Sequence, residues 1–315
     1  MKLILGILMF YGRFGLSFSN IGYAWRKGAW DKAVADLQGK RVVVTGGSGG
    51  IGAAVAAGCM EAGASVTVVA RNPEKLERLK DELGEALNIA VCDLADSNAV
   101  AELATTLAQD GPIDALVNNV GVMLHDYATN AAGVDAQYAT NLLNQFILTE
   151  TLLENGGLAG QASVIQVASG GMYMAPLVVE RLSAEDAASH DGTQAYAIQK
   201  RAQVALTEYW NASEHTDDRR FYVMHPGWVD TAGVQQSLPT FRKILKSVLR
   251  DGAAGADTIV WLAKEQPELK SSPKIWFDRA ARKVHAYGFT KTPEKTTTAL
   301  LEKLHTDKAN AISPQ

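Results

Sequence analysis

RVVVTGGSGGIG, Arg41 to Gly52, joins a β-branched run to a glycine-rich turn and then to the start of a helix near Ile51. Gly46, Gly50 and Gly52 have no Cβ, so the turn can adopt positive φ and the backbone can come close to a ligand. The N–H groups and dipole at the start of a helix favour an anion there. Thr45, Gly46, Ser48, Gly50, Ile51 and Gly52 therefore read as a cradle for a pyrophosphate. Glycines also make plain tight turns, but a strand before and a helix after favour the cradle.

The same alternation continues outward. Short apolar runs at 41–45, 65–69, 88–91, 114–117, 162–167, 221–224 and 274–277 alternate with amphipathic stretches near 51–62, 73–83, 97–109, 133–153, 194–213 and 253–264. Runs apolar throughout fit strands buried on both faces, and the βα repetition predicts an α/β fold: one doubly wound parallel sheet of about seven strands with helices on both faces, a Rossmann fold. The expected organisation is an N-terminal extension over 1–38 and a dinucleotide-binding domain over 39–315, with a loosely structured tail after about residue 280.

At 315 residues, 47% apolar and 20% charged, the chain has ample material for a core, and its net charge of −4 offers no basic field for a nucleic-acid backbone. Cys59 and Cys92 lie in apolar segments, and the six histidines form no HxH, HExxH or CxxC pattern. Free buried thiols, a reducing compartment and no metal site are expected.

Nineteen residues beyond Gly52 stands Arg71, where dinucleotide folds usually carry an acid that reads the ribose 2′-hydroxyl. A guanidinium there would pair with a 2′-phosphate, so NADP(H) is the expected cofactor, with NAD(H) as the alternative; a solvated arginine opening the next helix is the plainer reading. Asp93, followed by Leu94, is placed either to accept a bond from an adenine amino group or to cap the next helix. Tyr196 and Lys200 are four apart, which puts a phenol and an ammonium on one helical face. Such a pair can be ordinary surface chemistry, but a cation beside a phenol also favours the phenolate and moves a weak acid towards a useful range.

Taken together, these motifs resemble those of the short-chain dehydrogenase/reductase family: TGxxxGxG is Thr45 to Gly52, NNxG is Asn118 to Gly121 with Val120 in place of the usual alanine, and YxxxK is Tyr196 to Lys200. The resemblance covers about residues 39–265. It implies a catalytic set of Asn141, Ser169, Tyr196 and Lys200, and cofactor contacts from Thr45, Gly46, Ser48, Gly50, Ile51, Gly52, Arg71, Asp93, Leu94, Asn119, Gly121, Tyr196, Lys200, Pro226, Gly227, Val229 and Thr231. Ser169 would hold a substrate oxygen, Tyr196 would exchange the proton, Lys200 would bind the nicotinamide ribose and lower the phenol pKa, and Asn141 would hold a water leading to solvent. Plainer roles are a strand-end turn for Ser169 and a buried polar contact for Asn141. The strings ASGGM, DGTQAYAIQKRAQVALTEYW and MHPGWVDTAGVQQSLPTFR are similar to a retinol-dehydrogenase-like branch of that family, which implies an oxidoreductase interconverting a carbonyl and an alcohol. A catalytically silent dinucleotide-binding protein is the alternative.

Substrate information is expected in two segments. Twenty-six residues separate Ser169 from Tyr196, implying a flap near 170–193 with Met172, Tyr173, Met174 and Leu177 on its apolar side. A second flap near 228–250 brings Trp228, Val234, Leu238 and Phe241 beside Arg242, Lys243, Lys246 and Arg250, which read as a basic, solvated stripe. A lipophilic substrate suits both. The apolar run Leu3 to Tyr11 is nine residues long, too short for a span of about 20. With Tyr23, Trp25, Arg26, Lys27 and Trp30 after it, it suits an interfacial helix or one packed on the domain. The expected setting is cytoplasmic or membrane-peripheral, as a monomer or homodimer acting on a small-molecule carbonyl or alcohol.

Overall fold

The computed structural model describes residues 12, 14–30, 36–213, 218–269 and 274–312; the run Leu3 to Tyr11 and Arg13 lie outside them. The strands are β1 (Arg41–Thr45), β2 (Ser65–Ala70), β3 (Asn88–Val91), β4 (Ile113–Asn118), β5 (Leu158–Val167), β6 (Arg220–Met224), β7 (Lys274–Phe277) and β8 (Ala280–Lys283). They form one sheet in the order β3-β2-β1-β4-β5-β6-β7-β8. All pairs are parallel except β7 with β8, which close a hairpin through Asp278 and Arg279, both at positive φ.

The helices are α1 (Asn20–Lys27), α2 (Gly50–Glu61), α3 (Pro73–Leu83), α4 (Ser97–Gln109), α5 (Asn144–Glu154), α6 (Gly192–Ala212), α7 (Ala232–Ser237), α8 (Pro239–Leu245), α9 (Gly252–Glu265) and α10 (Glu294–Ala311). Val42, Val44, Ile165 and Tyr222 face α2 and α9, packing with Val55 and Ile259. Val43, Leu116 and Val164 face α4, α5 and α6, packing with Val100, Phe146 and Ala202. This covering of both faces is why the strands carry almost unbroken apolar sequence. The strand order reverses between β1 and β4, so a crevice opens at their carboxyl ends. The glycine turn after β1 and the Asn118–Gly121 segment after β4 meet there.

Three expectations need correction. Residues beyond 280 are ordered: β8 pairs with β7, and α10 buries Leu300, Leu304 and Ala311 against the core containing Leu142, Phe146 and Trp210. Tyr138 donates to Asp307 (2.8 Å) and Lys308 pairs with Glu154 (2.8 Å). The helix expected over 133–153 is also interrupted: a π-helical turn, Ala139–Leu143, precedes α5 and carries Asn141. Finally, Arg250 is not part of a solvated stripe. It is fully buried, paired with Asp278 (2.7 and 3.0 Å), and donates to the carbonyls of Ser17, Phe18 and Pro226.

The same Asp278 accepts from Arg26 Nε (2.7 Å), so two arginines share one buried carboxylate and fasten α1 and the residues before it to the domain. Phe18 packs among Phe277, His225, Trp228 and Tyr173, and Phe14 stacks on Phe18 and Tyr173. This segment therefore touches both predicted flaps, the first through Tyr173 and the second through Trp228.

Candidate active site

Local backbone rules shape the turn after β1. Gly46 (φ +65°) and Gly50 (φ +56°) occupy the left-handed region. Gly52 is required for a different reason: a Cβ there would lie 2.5 Å from the Gly46 carbonyl oxygen and 2.7 Å from Asn119 Nδ2. Helix α2 starts without a side-chain cap, so its first N–H groups remain open to an anion. Thr45 Oγ1 donates to the Val117 carbonyl (3.1 Å) and accepts from the N–H groups of Asn119 and Val120. Asn119 Nδ2 donates to the carbonyls of Thr45 (3.0 Å) and Gly46 (3.2 Å). These bonds tie the ends of β1 and β4 together beneath the cradle, and Ser48 and Ile51 sit half-buried in it.

Arg71 is exposed directly after β2, at the edge of the crevice. Asp93 makes a local turn, accepting from Ala95 N (3.1 Å), whereas Asp96 caps α4 by accepting from Asn98 and Ala99. The helix-capping reading of Asp93 is therefore corrected. Buried Leu94 gives its carbonyl to Asn144 Nδ2 (3.0 Å). After β6, Pro226 and Gly227 are gripped by Arg250, Val229 is buried and bridges to Arg250, and Thr231 caps α7 while its methyl faces Gly50. Apart from Tyr196 and Lys200, the residues read from sequence as cofactor contacts thus lie at the carboxyl ends of β1, β2, β3, β4 and β6.

Ser169 ends β5 and caps a short 3-10 turn, Gly170–Met174, its Oγ accepting from Gly171 N (3.4 Å). Half-buried Tyr196 and buried Lys200 come from α6, whose start is capped by Asp191 through Gln194 N (3.0 Å). Lys200 Nζ donates to the Val167 carbonyl (2.8 Å) and lies 5.6 Å from the Tyr196 ring centroid. A Cβ on Gly121 would lie 3.3 Å from Lys200 Nζ and 3.7 Å from Asn141 Oδ1, so these groups flank Gly121. The structure therefore brings Ser169, Tyr196, Lys200 and Asn141 to one place beside the end of β4.

Electrostatics differ from the sequence expectation. Burial pushes the Tyr196 phenol above its ordinary value, and a side-chain hydrogen bond with Ser169 pulls it back by less. Burial also lowers the Lys200 ammonium to about 7. The burial that disfavours the phenolate thus also disfavours the ammonium beside it.

The sequence reading missed a set of buried amides around Asn141. Asn141 Nδ2 donates to the Val122 carbonyl (2.7 Å) and to Gln199 Oε1 (2.8 Å), while its Oδ1 accepts from Val122 N (2.8 Å). Gln203 Nε2 donates to the Asn141 carbonyl (3.1 Å) and to Gln145 Oε1 (2.6 Å). The available signal was the spacing of Tyr196, Gln199, Lys200 and Gln203, a polar i, i+3, i+4, i+7 stripe on one helix face. A separate cavity of about 820 Å³ lies at the other end of α6, lined by Glu208, Asn211, Phe221 and Trp276, and none of the residues above borders it.

The model for short chain dehydrogenase matches residues 40–240. The chain belongs to the short-chain dehydrogenase/reductase family, NAD(P)-dependent oxidoreductases of this Rossmann fold. It stands near a branch that includes dehydrogenase/reductase SDR family member 12 of Bos taurus, 36% identical over 242 residues (74% of each chain), and that of Homo sapiens, 35% identical over 232 residues (72% of each). Human retinol dehydrogenase 11 is 28% identical, covering 65% of this chain and 66% of its own. Among solved structures, 3-ketoacyl-(acyl-carrier-protein) reductase from Brucella melitensis complexed with NADH shares the fold, with a TM-score of 0.57 at 23% identity, covering 73% of this chain and 93% of that one.

Proposed function

We propose that the protein is an NADP(H)-preferring oxidoreductase that interconverts a carbonyl and an alcohol on a lipophilic small molecule, with Tyr196 as the acid/base. The observation that carries this reading is the meeting of Ser169, Tyr196, Lys200 and Asn141 beside the crevice at the ends of β1 and β4. The glycine cradle and the uncapped start of α2 would hold the pyrophosphate of a nicotinamide dinucleotide, and Arg71 would face a 2′-phosphate. Bound there, the dinucleotide supplies or accepts the hydride. Ser169 donates to the substrate oxygen, and Tyr196 gives that oxygen its proton in reduction or removes it in oxidation. Lys200 would hold the ribose of the dinucleotide, and Asn141 fixes the loop on which Gly121 and Val122 pass the lysine.

The lipophilic preference rests on Tyr173, Phe14, Phe18, Trp228 and Phe241, a run of aromatic contacts joining the two flaps. Peripheral membrane contact belongs to the same reading, because Leu16 (76%), Ile21 (57%) and Trp25 (81%) are exposed on and beside α1. No helix among the described residues is long and apolar enough to cross a membrane. The organisation proposed is the extension over 1–38 followed by the catalytic unit over 39–315, as a monomer or homodimer with α10 already covering part of the α5 and α6 surface.

Titration with NADPH and NADH, followed by turnover of a panel of aldehydes, ketones and long-chain alcohols, tests the assignment. Tight NADPH binding with turnover supports it; dinucleotide binding with no turnover across the panel favours the silent binding protein. Co-sedimentation with liposomes tests the surface contact. Trp25→Ser combined with Ile21→Ser should reduce the bound fraction several-fold, and unchanged partitioning would remove the idea.

A further inference from the structure

Gln199 lies between Tyr196 and Lys200 on α6, and its side chain meets the Asn141 turn and the 170–193 flap. It is fully buried. Its Oε1 accepts from Asn141 Nδ2 (2.8 Å) and from Gln137 Nε2 (3.4 Å), and its Nε2 donates to the carbonyl of Leu182 (2.7 Å). Leu182 belongs to the 170–193 flap and is itself fully buried, while Asn141 sits in the π-helical turn that holds Val122 by two bonds. One amide therefore spans the flap and the turn beside Lys200.

The surrounding bonds reinforce that span. Gln137 Nε2 also donates to the Gly192 carbonyl (2.9 Å), and its Oε1 accepts from Leu124 N (2.7 Å). Asp135 ties the flap to the start of the turn, accepting from Ala184 N (2.8 Å) on one side and from Gln137 N and Tyr138 N on the other. Every polar atom of the Gln199 side chain is engaged, and in a buried site leaving any of them unpaired is costly.

We propose that Gln199 is a positioning residue that couples the 170–193 flap to Asn141, so that seating the flap over a substrate and holding the Asn141 turn beside Lys200 are one event. The proposal rests on the catalytic reading above. A flap that loses its hold on Leu182 releases the acceptor that orients Asn141, and a displacement of about 1 Å in a reacting site can cost roughly a hundredfold in rate.

Gln199→Met removes all three bonds, to Asn141, Gln137 and Leu182, at similar volume. Gln199→Glu keeps the acceptor for Asn141 but turns a carboxylate oxygen towards the Leu182 carbonyl until the carboxyl is protonated. The titratable groups around it are Asp135 ahead of the turn, His190 on the flap, and Tyr196 and Lys200 on its own helix; all are retained in Gln199→Met, which serves as the pH control. The expected result is a fall in kcat of about tenfold or more in Gln199→Met, with the NADPH Kd changed less than twofold. Gln199→Glu should gain an acid-favoured rise in kcat that neither the parent nor Gln199→Met shows.

A second readout does not depend on activity. Tryptic cleavage after exposed Arg181, followed by mass spectrometry on the full chain with NADPH, should accelerate in Gln199→Met, and in Gln199→Glu above the pH at which its carboxyl ionises. Unchanged cleavage in both variants, or a Gln199→Glu pH profile superimposable on the parent, overturns the coupling. Absence of tyrosine-dependent turnover in the parent would sink the catalytic reading instead, while the cleavage comparison would still decide whether Gln199 links flap and turn.

Discussion

Asp278→Asn should be far more destabilising than its surface area suggests. Asp278 is 3% exposed and accepts three charge-assisted bonds, two from fully buried Arg250 and one from Arg26. The amide keeps the shape and one acceptor oxygen but removes the negative charge, leaving two guanidinium groups facing each other with Arg250 unable to reach water. Breaking a buried pair in this way typically costs about 3–5 kcal/mol, a large part of the roughly 5–15 kcal/mol that holds a domain folded. Urea unfolding followed by far-UV circular dichroism measures the loss as a lower midpoint at unchanged slope. Asp230→Asn is the control, because its pairing with Arg242 (2.7 Å) lies at the surface and such pairs contribute little. Arg250 also holds the carbonyls of Phe18 and Pro226, so Asp278→Asn should additionally weaken dinucleotide binding and make the N-terminal segment easier to digest. Equal, small losses for the two variants would refute the claim that this ion cluster fastens residues 17–27 to the domain.

Two other outcomes follow from single side chains. Arg71→Asp should weaken NADPH binding at least tenfold more than NADH binding in parallel fluorescence titrations, since a carboxylate repels a 2′-phosphate; equal losses would mean that Arg71 does not read it. Burial raises Glu208 from its ordinary 4.5 to about 7, and its Oε1 is buried without a hydrogen-bond partner among the described residues. The folded state therefore holds a proton that the unfolded chain has lost between those values, so this group makes stability fall as pH rises from about 4.5 to 7. Glu208→Gln should flatten that slope and be more stable than the parent at pH 8; an unchanged profile of urea midpoints against pH would contradict it.

Much of the sheet could be read in the sequence because strands buried on both faces must be apolar throughout, as Val42 to Val44 are, and because a βα turn approached by another backbone must carry glycine, as at Gly52. Residues 280–312 escaped that logic. The strand Ala280–Lys283 lies at the sheet edge with mostly exposed side chains, and α10 fully buries only Leu300 and Leu304 of its long polar sequence. Arg250 was misread because charge is ordinarily a surface property; its partner Asp278 is 28 residues away, and the carbonyls it also serves belong to Ser17 and Phe18. The amides around Asn141 were overlooked because glutamine carries no strong signal alone, and only the helical register of 196, 199, 200 and 203 gathers them. The direction of the Tyr196 pKa could not come from spacing, since it depends on how much water reaches the pair.

The most direct test of the account is turnover by Tyr196→Phe beside the parent enzyme, with NADPH and a lipophilic carbonyl substrate found in the panel. The variant loses one hydroxyl and keeps the ring, so NADPH binding should stay within about twofold while kcat falls by 10²-fold or more, the scale of positioned proton transfer. A variant that binds NADPH and turns over at the parental rate would show that Tyr196 does not handle the proton and would contradict the central assignment.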